Sequence, residues 1–218
     1  DYGGIAFIAG IASVSGGTLR NIFLGLRPIW IIDPWIVASV LAAGELYEKS
    51  GLEMLKAMAL GYDVCCRLTK SLHAYQFRVD GHSSHTFGPN FGAAAAAGAL
   101  AGVSATQARY LLSYAAQQAS GVACWMRDKD HIEKAFDFGG MPARNGVSAA
   151  VMVINGFTGV EDVFSGERNF YDAYGVNPIR GALGEALGSR YEIMRTSIKR
   201  WTVGSPIQAP LDSLDTLM

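Results

Sequence analysis

An alanine-rich run near the middle of the chain limits the possible folds more than any other feature. Residues 91–100 read FGAAAAAGAL, so small apolar side chains cover every face of the segment rather than one stripe. Alanine has the highest helix propensity of all residues. A helix with such a surface is one that neighbours approach closely on all sides. The run therefore predicts a central helix surrounded by other helices.

Capping patterns predict further helices on both sides of this run. Ser50 with Glu53 and Ser104 with Gln107 have the spacing of a capping box, and Pro142 suits a first helical turn. Two segments lack a clear pattern, namely the polar, glycine-containing residues 75–90 and the charged residues 126–140. The predicted helices lie at residues 33–49, 50–72, 91–100, 104–120, 142–155 and 158–166.

The pattern changes near Gly188. Residues 191–201, YEIMRTSIKRW, alternate partly and are rich in β-branched and aromatic residues, which predicts a strand. Ser205 and Pro206 then begin a predicted helix toward Leu217. We therefore expect a mainly α chain with a helical domain at residues 1–187 and the start of a smaller α+β lid domain at residues 188–218. A first residue other than methionine, Asp1, suggests a fragment of a longer protein.

Composition excludes several classes of function. Half of the residues are hydrophobic and 17% are charged, which is too apolar for a disordered chain. The net charge of −1 lacks the basic excess that general binding to nucleic acids or anionic membranes needs. Three cysteines without CxxC spacing are a poor disulfide or iron–sulfur framework, which favours a reducing, cytoplasmic location, or a mitochondrial one in a eukaryote. The sequence contains neither the GxSxG motif of esterases nor the GK[ST] motif of a nucleotide-binding loop.

The polar segment at residues 75–90 carries the first candidate site residues. His82 and His85 have HxxH spacing, with Asp80 nearby, but no third metal ligand is fixed by the sequence. A histidine here could also act as a general acid or base, because imidazole changes charge near neutral pH. A purely structural histidine is the third alternative. We predict no metal.

Two groups of cations form a second set of candidates. Lys134 ends a mixed-charge run and precedes the apolar FDFGG segment, where a lysine could hold a carboxylate. Lys199 and Arg200 lie next to the helix start at Ser205 and Gln208, a corner that could bind an anion. Solvated surface charge is the alternative for both groups.

Several ordered sequence blocks resemble the MmgE/PrpD family, which includes 2-methylcitrate dehydratase, cis-aconitate decarboxylase and an iminodisuccinate epimerase. The resemblance implies an all-helical domain followed by an α+β lid, a homodimer, and no metal or organic cofactor. It implies proton removal α to a carboxylate of a small di- or tricarboxylic acid. The blocks are GYDVCCRL (61–68), GHSSHTFGPNFGAAAAAGALAG (81–102), LSYAAQQASG (112–121), HIEKAFDFGGMPARNGVSAA (131–150), GFTGVEDVFSG (156–166) and IKRWTVGSPIQA (198–209).

The resemblance also assigns roles to single residues. His82 matches the active-site histidine of the family, with His85 as the alternative, and Lys134 and Lys199 match two family lysines. Arg200, Ser205 and Gln208 complete the expected substrate-binding set, together with Arg27.

The chain departs from the family pattern at three places. Arg27 stands where the family has a histidine, residues 17–21 lack the acidic DxDDT stretch, and Gly204 replaces a histidine of the decarboxylases. Two interpretations stay open. In the first, the chain is an active enzyme, namely a metal-independent lyase similar to 2-methylcitrate dehydratase, or a decarboxylase or epimerase of the same family. In the second, it is an inactive binding or dimerisation module. The apolar residues 24–37 favour a homodimer.

Overall fold

The computed structural model describes residues 34–130, 132–196, 200–201 and 205–218. The fold is mainly α-helical, as predicted. Three short 3₁₀ turns lie at Ala123–Arg127, Arg180–Leu183 and Glu192–Arg195, and one π-helical turn at Phe136–Gly140. The helices are α1 (Pro34–Leu46), α2 (Gly51–Ser71), α3 (Ala74–Val79), α4 (Ser84–Ala101), α5 (Ala105–Gln117), α6 (Ile132–Ala135), α7 (Met141–Ile154), α8 (Phe170–Tyr174) and α9 (Ser205–Leu217).

Helix α4, which contains the alanine run, is the central helix, and this prediction is confirmed. Helices α1, α2, α5 and α7 all pack against it. Glycines on its neighbours allow a close approach: a Cβ added at Gly146 of α7 would lie 2.5 Å from the backbone nitrogen of Ala94, and one at Gly61 of α2 would lie 3.0 Å from the carbonyl oxygen of Gly92. Small side chains on α4 therefore set the distance between the helices.

Both predicted capping boxes are present. The hydroxyls of Ser50 and Ser104 accept hydrogen bonds from the backbone N–H groups of Glu53 and Gln107, whose side chains accept from the backbone of each cap residue. These pairs begin α2 and α5 at the expected residues, because a capping box depends on local sequence alone.

The polar segment 75–90 was predicted to be irregular, and this prediction is wrong. It forms α3 and the first turns of α4, with Pro89 inside the helix. A proline inside a helix lacks the N–H that would donate to the carbonyl four residues earlier, which weakens the helix at that point. Residues 86–91 are buried against the other helices, and this packing offsets the loss.

The predicted helix at residues 158–166 is also absent. The carboxylate of Asp162 accepts hydrogen bonds from the backbone N–H groups of Phe164 and Ser165 and from the Ser165 hydroxyl. An Asx-type turn therefore replaces the expected helix start.

The predicted strand at residues 191–201 is wrong in its described part, which forms the 3₁₀ turn Glu192–Arg195. Side chains of α2 bind this turn and the residues just before it: the backbone N–H of Glu192 donates to Asp63 at 2.7 Å, and Arg67 donates to the backbone oxygens of Glu185 and Arg190, each at 2.7 Å. One backbone group of the predicted strand, the N–H of Glu192, is therefore bonded to a helix side chain rather than to a neighbouring strand.

Among the residues that the structure describes, no helix is both long and apolar enough to cross a membrane. The structure does not test the predicted lid domain or its boundary at residue 187.

Candidate active site

The start of α4 is fastened to the turn that follows α5. His82 and Val122 form an isolated antiparallel bridge. The backbone N–H of Ser83 donates to the carbonyl of Gly121 at 3.1 Å, and that of Ala123 donates to the carbonyl of Gly81 at 2.9 Å. Gly121 has a φ of +135°, a conformation that favours glycine. This bridge places the two predicted histidines beside the 3₁₀ turn Ala123–Arg127.

Two aromatic rings bring His85 and Lys134 together. The His85 ring lies 4.1 Å from that of Phe138 and 6.0 Å from that of Trp125, measured between centroids. The Lys134 ammonium lies 5.4 Å and 5.5 Å from the centroids of the same two rings. Trp125 and Phe138 contact each other edge to face at 4.7 Å. We call these four residues the His85–Lys134 site. His85 is exposed and Lys134 half-buried, so a small ligand can reach both.

A buried polar cluster lies beside this site. The Ser83 hydroxyl donates to the carboxylate of Asp137, and the Thr86 hydroxyl donates to the backbone oxygen of Asp137 at 3.1 Å. The indole Nε1–H of Trp125 donates to the Ser83 hydroxyl at 3.2 Å. Asp137 is only 5% exposed. Burial raises the pKa of its carboxyl, although the hydrogen bond from Ser83 opposes that shift.

The segment that carries Lys134 and Asp137 is shaped by two local features. The Asp128 carboxylate accepts the backbone N–H of Glu133 at 2.8 Å, which satisfies a free donor at the start of α6. The π-helical turn Phe136–Gly140 then widens the helix before α7. In this turn Asp137 is buried and Phe138 contacts His85. Wide turns of this kind are common at functional sites.

His82, the first choice for the family histidine, lies in a different ring cluster. Its ring stacks on Phe77 at 4.4 Å and contacts the edges of Phe87 at 5.9 Å and Tyr174 at 6.1 Å. The ring pair that holds Lys134 contacts His85 instead. The geometry thus favours the alternative histidine for a site shared with Lys134.

The described predicted residues near the C-terminus bond to other residues of the same C-terminal segment. The Arg200 guanidinium bonds the carboxylates of Asp212 at 3.5 Å and Asp215 at 2.6 Å. The Gln208 amide exchanges hydrogen bonds with the backbone of Trp201. Ser205 is the first residue of α9. Arg27 and Lys199 lie outside the described residues, as do residues 17–21 and Gly204.

Sequence reasoning did not identify Ser83, Trp125, Asp137 or Phe138 as site residues. The FDFGG segment directly after Lys134 was the available signal, because it places a carboxylate between two phenylalanines. Within the described parts of the chain, no group of three His, Cys, Asp or Glu side chains could hold a metal ion.

Comparison with known families identifies the fold. The family model for the MmgE/PrpD N-terminal domain matches residues 26–179, which is more than half of the chain. The chain belongs to the MmgE/PrpD family. A search of curated proteins found no match. The MmgE/PrpD match includes His82 and all four residues of the His85–Lys134 site, whereas Arg200, Ser205 and Gln208 lie beyond it.

Proposed function

We propose that this protein is a lyase-type enzyme that removes a proton α to a carboxylate of a small di- or tricarboxylic acid, with loss of water as in 2-methylcitrate dehydratase. One observation carries the proposal: an accessible imidazole, His85, and an ammonium group, Lys134, lie against the same pair of rings at the start of the central helix. Membership in the MmgE/PrpD family supports the reaction class.

Lys134 is suited to hold a substrate carboxylate. Among the described residues no carboxylate forms an ion pair with its ammonium group, which instead lies over Trp125 and Phe138. Cation–π contacts of this kind stabilise an ammonium by about 0.5–1 kcal/mol at an exposed position. They orient the charge without neutralising it, so the charge stays available to an anion. A bound carboxylate whose α-proton is removed gains negative charge, which a fixed ammonium stabilises.

His85 is the base in this proposal. Its contact with Phe138 orients the imidazole, and its exposure leaves the ring accessible to a ligand. A neutral imidazole takes a proton readily near neutral pH. In the proposed reaction the proton passes from the substrate carbon to His85, and the freed electron pair forms a carbon–carbon double bond as the carbon–oxygen bond breaks. The leaving hydroxyl takes a proton from solvent and departs as water, and His85 then returns its proton to solvent. His82 is the second acid–base candidate.

The test is an assay of turnover with 2-methylcitrate, citrate and cis-aconitate, in which alkene absorbance and carbon dioxide release are monitored. We expect His85→Ala to abolish turnover with little change in melting temperature, because an exposed ring contributes little packing. His73→Asn is the matched control, since His73 is an exposed histidine at a φ of +54° that asparagine tolerates. Full activity in His85→Ala would refute the assignment.

Other outcomes distinguish the remaining possibilities. Carbon dioxide release would indicate a decarboxylase, and inversion without elimination an epimerase. Binding of a tricarboxylate without turnover, seen as a raised melting temperature, would indicate an inactive binding module.

We also propose that the protein forms a homodimer through its exposed apolar surface. Leu52 and Leu55 lie one turn apart on α2 and are each 63% exposed, and exposed apolar residues of this kind contribute to an interface where they form a large contiguous patch. Light scattering at micromolar concentration should report a dimer, and a monomer would contradict the proposal.

A further inference from the structure

We infer that Asp137 is a positioning residue, which holds Trp125 and the Lys134–Phe138 segment against the start of α4 and so fixes His85 relative to Lys134. The inference rests on the proposed function of the His85–Lys134 site. The hydrogen bonds of Asp137 run to Ser83 and Thr86, so its effect on the site passes through these residues.

The argument begins with connectivity. Asp137 links three parts of the chain that are far apart in sequence: its carboxylate accepts from Ser83, its backbone oxygen accepts from Thr86, and Ser83 in turn accepts from Trp125. One ring of the site, Phe138, is the next residue along the chain. The other ring, Trp125, is linked to Asp137 through the hydroxyl of Ser83. The positions of both rings that contact His85 and Lys134 therefore depend on Asp137, one through the chain and the other through the Ser83 hydroxyl.

The direction of the hydrogen bonds shows what position 137 must supply. An indole Nε1–H can only donate, so the Ser83 oxygen accepts the bond from Trp125. The single hydroxyl hydrogen of Ser83 then donates to Asp137. The hydrogen bonds therefore run from Trp125 to Ser83 and from Ser83 to Asp137. The hydroxyl of Ser83 has an acceptor only if residue 137 supplies an oxygen atom.

Energetics argue against packing as the only role of this carboxyl. Asp137, Ser83 and Thr86 are all buried, at 5%, 1% and 1% exposure. Within the described residues no cation forms an ion pair with Asp137, and burying a carboxyl without a counter-charge costs free energy. An apolar side chain would fill the same space at lower cost. The acceptor oxygen is what such a replacement would lack.

The test compares Asp137→Ala with Asp137→Asn in the full chain. The alanine removes the acceptor, whereas asparagine keeps an oxygen. Two quantities are measured: kcat and KM for 2-methylcitrate and citrate, and the indole ¹H–¹⁵N resonance of Trp125, assigned with Trp125→Phe. A misplacement of about 1 Å costs roughly 100-fold in rate. We expect a fall of that order in kcat and a shifted indole resonance for Asp137→Ala, and values near wild type for Asp137→Asn.

Asp63→Asn is the control, because Asp63 is buried to a similar degree, 6% exposed, but bonds Arg67 and the Glu192 backbone instead. It should lower the melting temperature and leave kcat and the Trp125 resonance unchanged. If Asp137→Ala does not fold, Ser83→Ala breaks the same chain and should shift the same resonance.

Asp137→Ala with an unchanged Trp125 resonance and kcat would overturn the inference, and so would an equal loss in Asp137→Asn. If wild-type protein neither turns over nor binds these acids, the proposed function fails. The indole resonance in Asp137→Ala and Ser83→Ala then decides the positioning role alone.

Discussion

Replacing Arg67 by methionine tests how the segment after α8 is held to the helical core. Arg67 is 1% exposed, and its guanidinium bonds the Asp63 carboxylate and the backbone oxygens of Glu185 and Arg190, each at 2.7 Å. Methionine fills a similar volume without these donors. The change leaves a buried carboxylate without its cation and two carbonyls without their partner.

The structure sets the expected magnitude. Removing one partner of a buried ion pair costs about 3–5 kcal/mol, because the remaining charge stays buried and unpaired. We expect Arg67→Met to lower the free energy of unfolding by about that amount. For a chain of this size, 1 kcal/mol corresponds to roughly 2–4 °C in melting temperature, so the transition should move down by roughly 10 °C.

Two measurements check this prediction. Chemical denaturation gives the free energy of unfolding, and hydrogen exchange reports the backbone N–H of Glu192, whose acceptor Asp63 would lose its counter-charge. We expect faster exchange there. Arg109→Met is the matched control, since Arg109 and its partner Glu161 are 61% and 62% exposed, and exposed pairs contribute at most about 1 kcal/mol.

The reasoning would be refuted if Arg67→Met lowered the free energy of unfolding by less than about 1 kcal/mol and left the exchange at Glu192 unchanged. A loss in Arg109→Met as large as that in Arg67→Met would also refute it, because burial would then not be the cause.

Two further predictions concern stability. Gly146→Ala should lower the free energy of unfolding by about 1–3 kcal/mol in a denaturation assay, because the added Cβ would lie 2.5 Å from the backbone of α4. This loss is expected despite the better helix propensity of alanine. Gly51→Ala is the control and should lose no stability, since nothing lies within 4 Å of its added Cβ. The second prediction is a pH dependence at Asp137, whose pKa is raised by burial, with repulsion from Glu133 adding to the shift. The folded protein therefore keeps this proton at a pH where the unfolded chain has lost it. The free energy of unfolding of wild type, taken relative to that of Asp137→Asn, should thus be greatest at low pH and decline as the pH rises through the pKa of the folded state. Denaturation curves from about pH 3 to about pH 7 check this, and a difference that does not change with pH would contradict it.

The features that the sequence predicted correctly are those that depend on local rules. The capping boxes at Ser50 and Ser104 need only a residue and its neighbour three positions later. The central position of α4 follows from the size of its alanines. The missed features depend on contacts between distant residues. Residues 86–90 are buried against other helices, which favours a helix there despite Pro89, and Asp63 and Arg67 bind the backbone around the turn at residues 192–195.

The candidate site was predictable in part for the same reason. The sequence singled out Lys134 and both histidines of the GHSSHT segment. It could not decide between His82 and His85, because that choice depends on which rings lie on each side of the start of α4. Phe138 reaches His85 through a π-helical turn, and no residue pattern in FDFGG signalled that turn.

The backbone bridge between His82 and Val122 has a consequence for how the entrance to the site could be enlarged. The backbone N–H groups of Ser83 and Ala123 form the hydrogen bonds that hold these two segments together. The segment leading to Trp125 therefore cannot move outward at residues 121–123 without breaking both bonds. Engineering for bulkier acids should accordingly shorten side chains at the rim and leave residues 121–123 untouched.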